Sequence, residues 1–194
     1  MLRRYLNNLF LELTMAEFTL YTAENAPEES KPLLADSVAA FGMLPNLHAV
    51  MAEAPTLLKG YQVLHELFQN TSFNAEELTV VWQSINVEHD CHYCVPAHSA
   101  IAASMKVDQG IVNALVNKTP LADAKLETLR ETTLAMTRER GVISDEQIEK
   151  FFAVGYGQQQ LLEIIVGISQ KVMSNYTNHL ANTPVDEPFK KFAK

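Results

Sequence analysis

The chain has 194 residues, of which 47% are hydrophobic and 20% charged, so it can bury the core of one compact domain and is too apolar for a disordered chain. Its formal net charge of −8 repels phosphate groups, which excludes nucleic acid as an expected partner. No segment reaches the ~18 apolar residues of a membrane span, and the N-terminus lacks the pattern of a signal peptide. We therefore expect a cytoplasmic protein that does not contact membranes.

Helical periodicity dominates the first half of the sequence. Apolar residues recur at steps of three and four over residues 31–41 and again over 55–68, which predicts two amphipathic helices with a turn between them. Gly42 is expected to end the first helix. Asn74 has the side chain of an N-terminal cap, so a third helix should begin after it and end near residues 86–89.

The same periodicity continues to residue 180 without an alternating strand pattern, so the fold class is predicted to be all-α. Five further helices are expected: from the cysteines to Met105, after the cap Asp108, over 121–140, from a capping box of Ser144 and Gln147, and over 158–180. The predicted organisation is an N-terminal extension over residues 1–14, a single helical domain over 15–182, and an extended C-terminal arm over 183–194 that reaches a neighbouring subunit.

Both cysteines lie in one short segment, Cys91-His92-Tyr93-Cys94, and His98 follows four residues later. Cysteines so close together form a redox dithiol or half of a metal site rather than a scaffold disulfide. If a helix begins near Asp90, its free N–H groups and its dipole stabilise a thiolate there. His98 would lie one turn after Cys94, where an imidazole can accept and return a thiol proton. Spacing alone therefore predicts a redox site of Cys91, Cys94 and His98.

The segment from Cys91 to His98, with Ser84-Ile85-Asn86 before it, resembles the carboxymuconolactone decarboxylase-like superfamily and, within it, the alkylhydroperoxidase (AhpD-like, peroxidase-related) branch. The resemblance extends over most of the chain, with softer matches around Gly155-Tyr156 and in residues 174–179. It implies an AhpD-like helical bundle that assembles as a homo-oligomer, a trimer or a hexamer. It also implies reduction of small hydroperoxides without a bound cofactor or metal, with a dihydrolipoamide- or thioredoxin-like thiol reductant.

The resemblance also implies roles for individual residues. Cys94 attacks the peroxide, Cys91 resolves the sulfenic acid into a disulfide, and His98 transfers protons. A glutamate of the preceding helix completes the relay, and counting back from Asn86 places it at Glu76.

The sequence departs from the family pattern in two places. Four residues, 87–90, separate Asn86 from Cys91 where the family usually has about one, so Glu77 and Glu88 remain alternatives to Glu76. Tyr93 also stands where the best-known members have a histidine, and His92 is rotated by ~100° from that position on a helix. Tyr93 is interpreted as a wall of the pocket or a hydroxyl donor.

Three other functions remain open at this point. A lactone decarboxylase would not need two thiols, and a non-enzymatic redox sensor would form the same disulfide without turnover. A structural zinc site would use the two cysteines and His98 with His89 or His92. Further histidines are interpreted as packing or interface residues: His48, His65 and His179.

Overall fold

The structure, a computed structural model, describes residues 17–193, so the predicted extension over 1–14 lies outside the described residues. Within the described part the chain is all-α, as predicted, and forms no strand. The α-helices are α1 Lys31–Phe41, α2 Asn46–Met51, α3 Pro55–Gln69, α4 Ala75–Glu88, α5 Cys94–Ser104, α6 Gln109–Val116, α7 Ala124–Arg138, α8 Asp145–Ala153 and α9 Gln158–Ala181. Two 3₁₀ helices, Glu28–Ser30 and Glu187–Phe192, complete the described chain.

Side-chain caps begin several of these helices where the sequence predicted them. The Asn74 side chain accepts hydrogen bonds from the N–H groups of Glu76 and Glu77 at 3.0 Å, and the Glu77 carboxylate accepts one from the Asn74 N–H. Ser144 and Gln147 form the predicted capping box of α8. Gly42 ends α1 with a φ of +69°. The short helix α2 was not predicted, because six residues are too few for a periodic signal.

Helix α4 runs through the centre of the molecule and is buried without interruption from Glu77 to Asn86. Helices α5, α6, α7 and α9 pack around it, and α9 also packs along α3. The helices α9, α3 and α4 approach closely at Gly167. An added Cβ there would lie 2.8 Å from a ring carbon of Phe68 and 3.0 Å from a methyl group of Val81.

Helix α9 has its polar side chains inside the protein and several apolar ones outside. Its buried polar stripe consists of Gln170, Lys171, Ser174, Asn175 and Asn178. Its exposed apolar residues are Leu162, Ile165, Tyr176 and Leu180. The stripe faces the segment that carries the two cysteines, so α9 supplies polar groups to the predicted site.

The segment after α9, which we call the C-terminal strap (residues 183–192), folds back onto the same chain. It is extended up to Asp186, continues as a 3₁₀ helix and packs against α5. The Asp186 carboxylate accepts hydrogen bonds from the Tyr93 hydroxyl and, at 3.1 Å, from the Asn46 N–H. His92 Nε2 lies 2.9 Å from the Thr183 carbonyl oxygen. Both residues between the cysteines are thus bonded to the strap.

None of the helices in residues 17–193 combines the length and the apolar character needed to cross a lipid bilayer.

Candidate active site

A tight turn between α4 and α5 positions Cys91. Asp90 has a φ of +51°, and the Cys91 N–H donates to the Asn86 carbonyl at 3.0 Å. The Asp90 N–H donates to Val87 at 3.3 Å, which completes a Schellman motif at the end of α4. The predicted start of a helix near Asp90 is therefore wrong, because a left-handed residue closes the previous helix. Residues 87–90 form the last turn and cap of α4, and α5 begins at Cys94.

The two sulfur atoms are buried side by side and are not joined by a disulfide bond. The Cys94 N–H, at the first position of α5, lies 3.3 Å from Cys91 Sγ. Asn178 Nδ2 donates to Cys94 Sγ at 3.2 Å and lies 3.9 Å from Cys91 Sγ. A helix N-terminus and an amide donor thus converge on the pair, and both favour a thiolate.

The two cysteines differ in acidity. Burial would raise the pKa of Cys94, but the hydrogen bond from Cys91 and the positive charge of Lys171 outweigh it and lower this pKa to about 5. The hydrogen bond to Cys94, together with burial, raises the pKa of Cys91 above its usual range. Near neutral pH the pair therefore holds one thiolate, at Cys94, and one thiol, at Cys91.

His98 lies one turn after Cys94 on α5 and is also buried. Its Nε2 atom is 2.8 Å from Lys171 Nζ, and its ring centroid is 4.9 Å from that of Trp82. Burial and the nearby Lys171 charge lower the pKa of His98 well below its usual value, so the ring is neutral. Because an ammonium donates to Nε2, we assign the ring proton to Nδ1, which has no hydrogen-bond partner in the structure.

The structure brings Cys91, Cys94 and His98 together but not the glutamates. Glu76 is exposed in the first turn of α4, ten residues before Asn86, which corresponds to about 15 Å along the helix axis. Glu77 caps α4 and bonds to the Tyr156 hydroxyl at 3.0 Å, and Glu88 forms a surface ion pair with Arg138 at 2.7 Å. A role for Glu76 in the relay stays a prediction, which the exposed position of its side chain does not favour.

The charged side chain beside the sulfurs is Lys171, which the sequence analysis did not single out. It is fully buried in the middle of α9. The polar residues at 170, 171, 174, 175 and 178 share one helical face, a stripe that could have been read from the sequence. The polar face of a surface helix usually points to solvent, but here exposed apolar residues such as Leu162 and Leu180 lie outside and the polar stripe lies inside, so the sequence alone does not reveal that the stripe is buried.

A cavity of about 520 Å³ opens onto Cys94. Cys94, His98 and Lys171 form part of its wall. Cys91 is not among the residues of 17–193 that line the cavity. The rest of the wall is largely apolar and aromatic, with Phe41, Leu47, Tyr61, Tyr93, Ile101 and Phe189 among its residues. A small molecule in this cavity therefore meets the thiolate of Cys94 and not the thiol of Cys91.

His48 and His65 also line this cavity, in addition to their packing contacts. Burial lowers the pKa of His48 to about 3 and that of His65 to about 4, so both rings are neutral. His48 Nδ1 lies 2.8 Å from the Ser37 hydroxyl, and His65 Nδ1 lies 3.0 Å from Gln170 Nε2. These partners hold each ring in place on the cavity wall.

The histidines that a zinc site would need have other partners. His89 Nδ1 lies 2.8 Å from the Asn175 side-chain oxygen, His92 bonds to the strap, and His98 bonds to Lys171. Over residues 17–193, no three histidine, cysteine or acidic side chains converge in a way that could hold a metal ion. The geometry around the sulfurs is thus that of a dithiol beside a cavity.

No protein-family model matches the sequence, and neither does any curated protein. Solved structures do match it. A peroxidase-related protein with an alkylhydroperoxidase core from Ralstonia eutropha has a TM-score of 0.79 at 13% identity, over 90% of this chain and 94% of that one. A peroxidase-related protein from Silicibacter sp. has a TM-score of 0.75 at 18% identity, over 92% and 97%.

The debrominase Bmp8 in its apo form has a TM-score of 0.76 at 17% identity, over 91% of this chain and 96% of that one. A cysteine-to-alanine variant of Bmp8 in complex with 2,3,4-tribromopyrrole also matches, with a TM-score of 0.75. At these identities the matches concern the fold. The predicted resemblance is confirmed at that level: the chain has the alkylhydroperoxidase-type helical fold.

Proposed function

We propose that the protein is a thiol-dependent peroxidase that reduces organic hydroperoxides through a Cys94–Cys91 dithiol cycle. The observation that carries this proposal is the unequal pair: a Cys94 thiolate in the cavity wall next to a Cys91 thiol behind it. A peroxidatic thiolate needs access to its substrate, and a resolving thiol needs only to reach that sulfur. The fold shared with peroxidase-related proteins supports the same activity.

In the proposed reaction the Cys94 thiolate attacks the terminal peroxide oxygen and becomes a sulfenic acid, while the O–O bond breaks and an alkoxide leaves. The neutral His98 ring donates a proton to this alkoxide and releases an alcohol. The Cys91 sulfur then attacks the sulfenic acid, forming the disulfide and water. A dithiol reductant, dihydrolipoamide-like or thioredoxin-like, restores both thiols in a cytoplasmic setting. A homo-oligomer, trimeric or hexameric, remains part of the proposal.

The test is a thiol titration of the reduced protein before and after one equivalent of tert-butyl hydroperoxide. The wild type should lose two thiols, Cys91→Ser should stop at a sulfenic acid that dimedone traps, and Cys94→Ser should not react. If the wild type keeps both thiols, the peroxidase proposal fails. A redox sensor would form the disulfide without turnover when a dithiol donor is supplied, and a decarboxylase would remain active in both serine variants.

Reductive dehalogenation is a second candidate, favoured by the size and aromatic wall of the cavity. The Cys94 thiolate would take the halogen of an electron-rich haloarene as a sulfenyl halide, and the arene would take a proton. Attack by Cys91 would then release halide and a proton as the disulfide forms. The matched debrominase, whose variant structure holds a tribromopyrrole, supports this chemistry for the fold. Bromide release from a bromopyrrole, absent in Cys94→Ser, would favour this candidate over the peroxidase.

A further inference from the structure

Lys171 is a buried cation that has no carboxylate partner in the described part of the chain. Its side chain is fully buried in the middle of α9, and the ion pairs of residues 17–193 all join other residues. A buried ammonium without a counter-ion is costly, so it either loses its proton or stays close to an anion. The titratable side chains that face Lys171 are Cys91 on the turn before α5, Cys94 and His98 on α5, and His65 on α3.

Of these groups only a cysteine can carry a negative charge. Burial lowers the pKa of Lys171, and the two cysteines act in the opposite direction. The Cys94 thiolate is therefore the counter-ion that keeps Lys171 protonated. When oxidation turns this thiolate into a neutral sulfur, the ammonium loses its partner and becomes an acid inside the cavity wall.

The route for the released proton is visible in the geometry. Lys171 Nζ lies 2.8 Å from His98 Nε2, and the other ring nitrogen, Nδ1, has no hydrogen-bond partner within residues 17–193. His98 can thus accept a proton at Nε2 and donate one from Nδ1 without becoming charged overall. His98 also forms part of the wall of the cavity in which an alkoxide would form, so its ring lies between Lys171 and that cavity.

We infer that Lys171 is both the counter-ion of the Cys94 thiolate and the store of the proton that His98 delivers to the leaving oxygen. The inference rests on the proposed peroxidase function and adds a proton source to it. The reduced site holds a thiolate, a thiol and an ammonium. Hydroperoxide converts it into a disulfide and a neutral amine, with one alcohol and one water as products, so no proton is exchanged with the solvent. Reduction by a dithiol returns one hydrogen to Cys91 and one to Lys171.

The first test measures the thiolate directly and does not need peroxide turnover. Thiolate absorbance at 240 nm and the rate of Cys94 alkylation by iodoacetamide are compared between the wild type and Lys171→Met at pH 6. Lys171→Met should alkylate about tenfold more slowly, because loss of the neighbouring positive charge should raise the pKa of Cys94 by about two units, which takes the thiolate fraction at pH 6 from about nine-tenths to about one-tenth. Lys171→Arg should retain most of the rate. Lys150→Met, which removes an exposed lysine, is the matched control and should behave like the wild type. An unchanged rate in Lys171→Met overturns the ion pair.

The second test uses the wild type and is therefore independent of how a variant folds. The disulfide form, prepared with diamide, is reduced by dithiothreitol at pH 7 in weakly buffered solution with a pH indicator. The inference requires a neutral Lys171 in the disulfide form and a Cys94 thiolate in the reduced form. Reduction should then release no proton to the solution, because one hydrogen of dithiothreitol goes to Cys91 and the other to Lys171. Release of one proton per disulfide would mean that Lys171 stays charged, and the relay would be overturned. Hydroperoxide consumption is measured separately, so loss of that activity with both results intact refutes the peroxidase function and not the ion pair.

Discussion

Gly167 marks the place where α9 presses most closely against the core, and its replacement by alanine tests how rigidly α9 is held. An alanine Cβ would lie 2.8 Å from Phe68 Cε2 and 3.0 Å from Val81 Cγ1, whereas ordinary carbon contacts begin near 3.4 Å. Phe68 and Val81 are both completely buried, so neither can move into solvent. The helices must therefore separate by about 0.5 Å or the side chains must leave their preferred rotamers.

The expected magnitude combines two opposing effects. Alanine favours a helix over glycine by about 1 kcal/mol, while overpacking of a dense core costs about 1–3 kcal/mol. Gly167→Ala should therefore lower the free energy of unfolding by about 1 kcal/mol, within a range of about 0–2 kcal/mol. Gly60→Ala is the matched control, because its Cβ would meet the terminal methyl of Met173 at 3.3 Å, and this flexible side chain can move. That variant should be unchanged or stabilised by up to about 1 kcal/mol.

Urea unfolding followed by circular dichroism gives both values. Each kcal/mol should also shift Tm by about 2–4 °C in a domain of this size. Because Lys171 lies one turn after Gly167, a displaced α9 should also slow iodoacetamide alkylation of Cys94 in the Gly167 variant. If Gly167→Ala proves as stable as Gly60→Ala, α9 is not packed as tightly as the geometry indicates and the reasoning is refuted.

Three further predictions address the site and its surroundings. Glu76→Gln should leave the rate of hydroperoxide consumption within about twofold, because Glu76 is exposed and far from the sulfurs; a tenfold loss would restore the glutamate relay. His48 and His65 have folded-state pKa values below the unfolded value of about 6.5, so the stability they provide is complete above pH 6.5 and decreases on acidification toward pH 4. Urea unfolding at a series of pH values should show this fall, by up to about 1.4 kcal/mol per pH unit for each ring, and a pH-independent stability would contradict their burial as neutral groups. Tyr93→Phe should lower the free energy of unfolding by about 1–3 kcal/mol, because the Asp186 carboxylate loses a donor and the Leu47 N–H loses its acceptor. Protease cleavage in the C-terminal strap should then be faster than in the wild type. An unchanged cleavage rate would mean that Tyr93 does not hold the strap.

What the sequence predicted correctly is local in the chain. The Asn74 and Ser144 caps depend on side chains three residues away, and Cys94 and His98 share a face because they are four residues apart on a helix. Lys171 and Asn178 lie 73 and 84 residues away from the groups they contact, so no local pattern links them to the cysteines. Glu76 was placed by counting along the chain, and counting cannot show that residues 87–90 close α4 with a left-handed turn.

The buried polar stripe of α9 makes the site a thermodynamic burden on the fold. Apolar side chains of similar volume at buried polar positions often leave a protein as stable as before or more stable. Random substitution followed by selection for heat resistance alone should therefore replace Lys171 and its neighbours early, and yield well-folded proteins with an inert cysteine pair. In this protein, thermal stability and the reactivity of the cysteine pair depend on the same few positions of one helix. A screen for stable variants must therefore also monitor thiol reactivity.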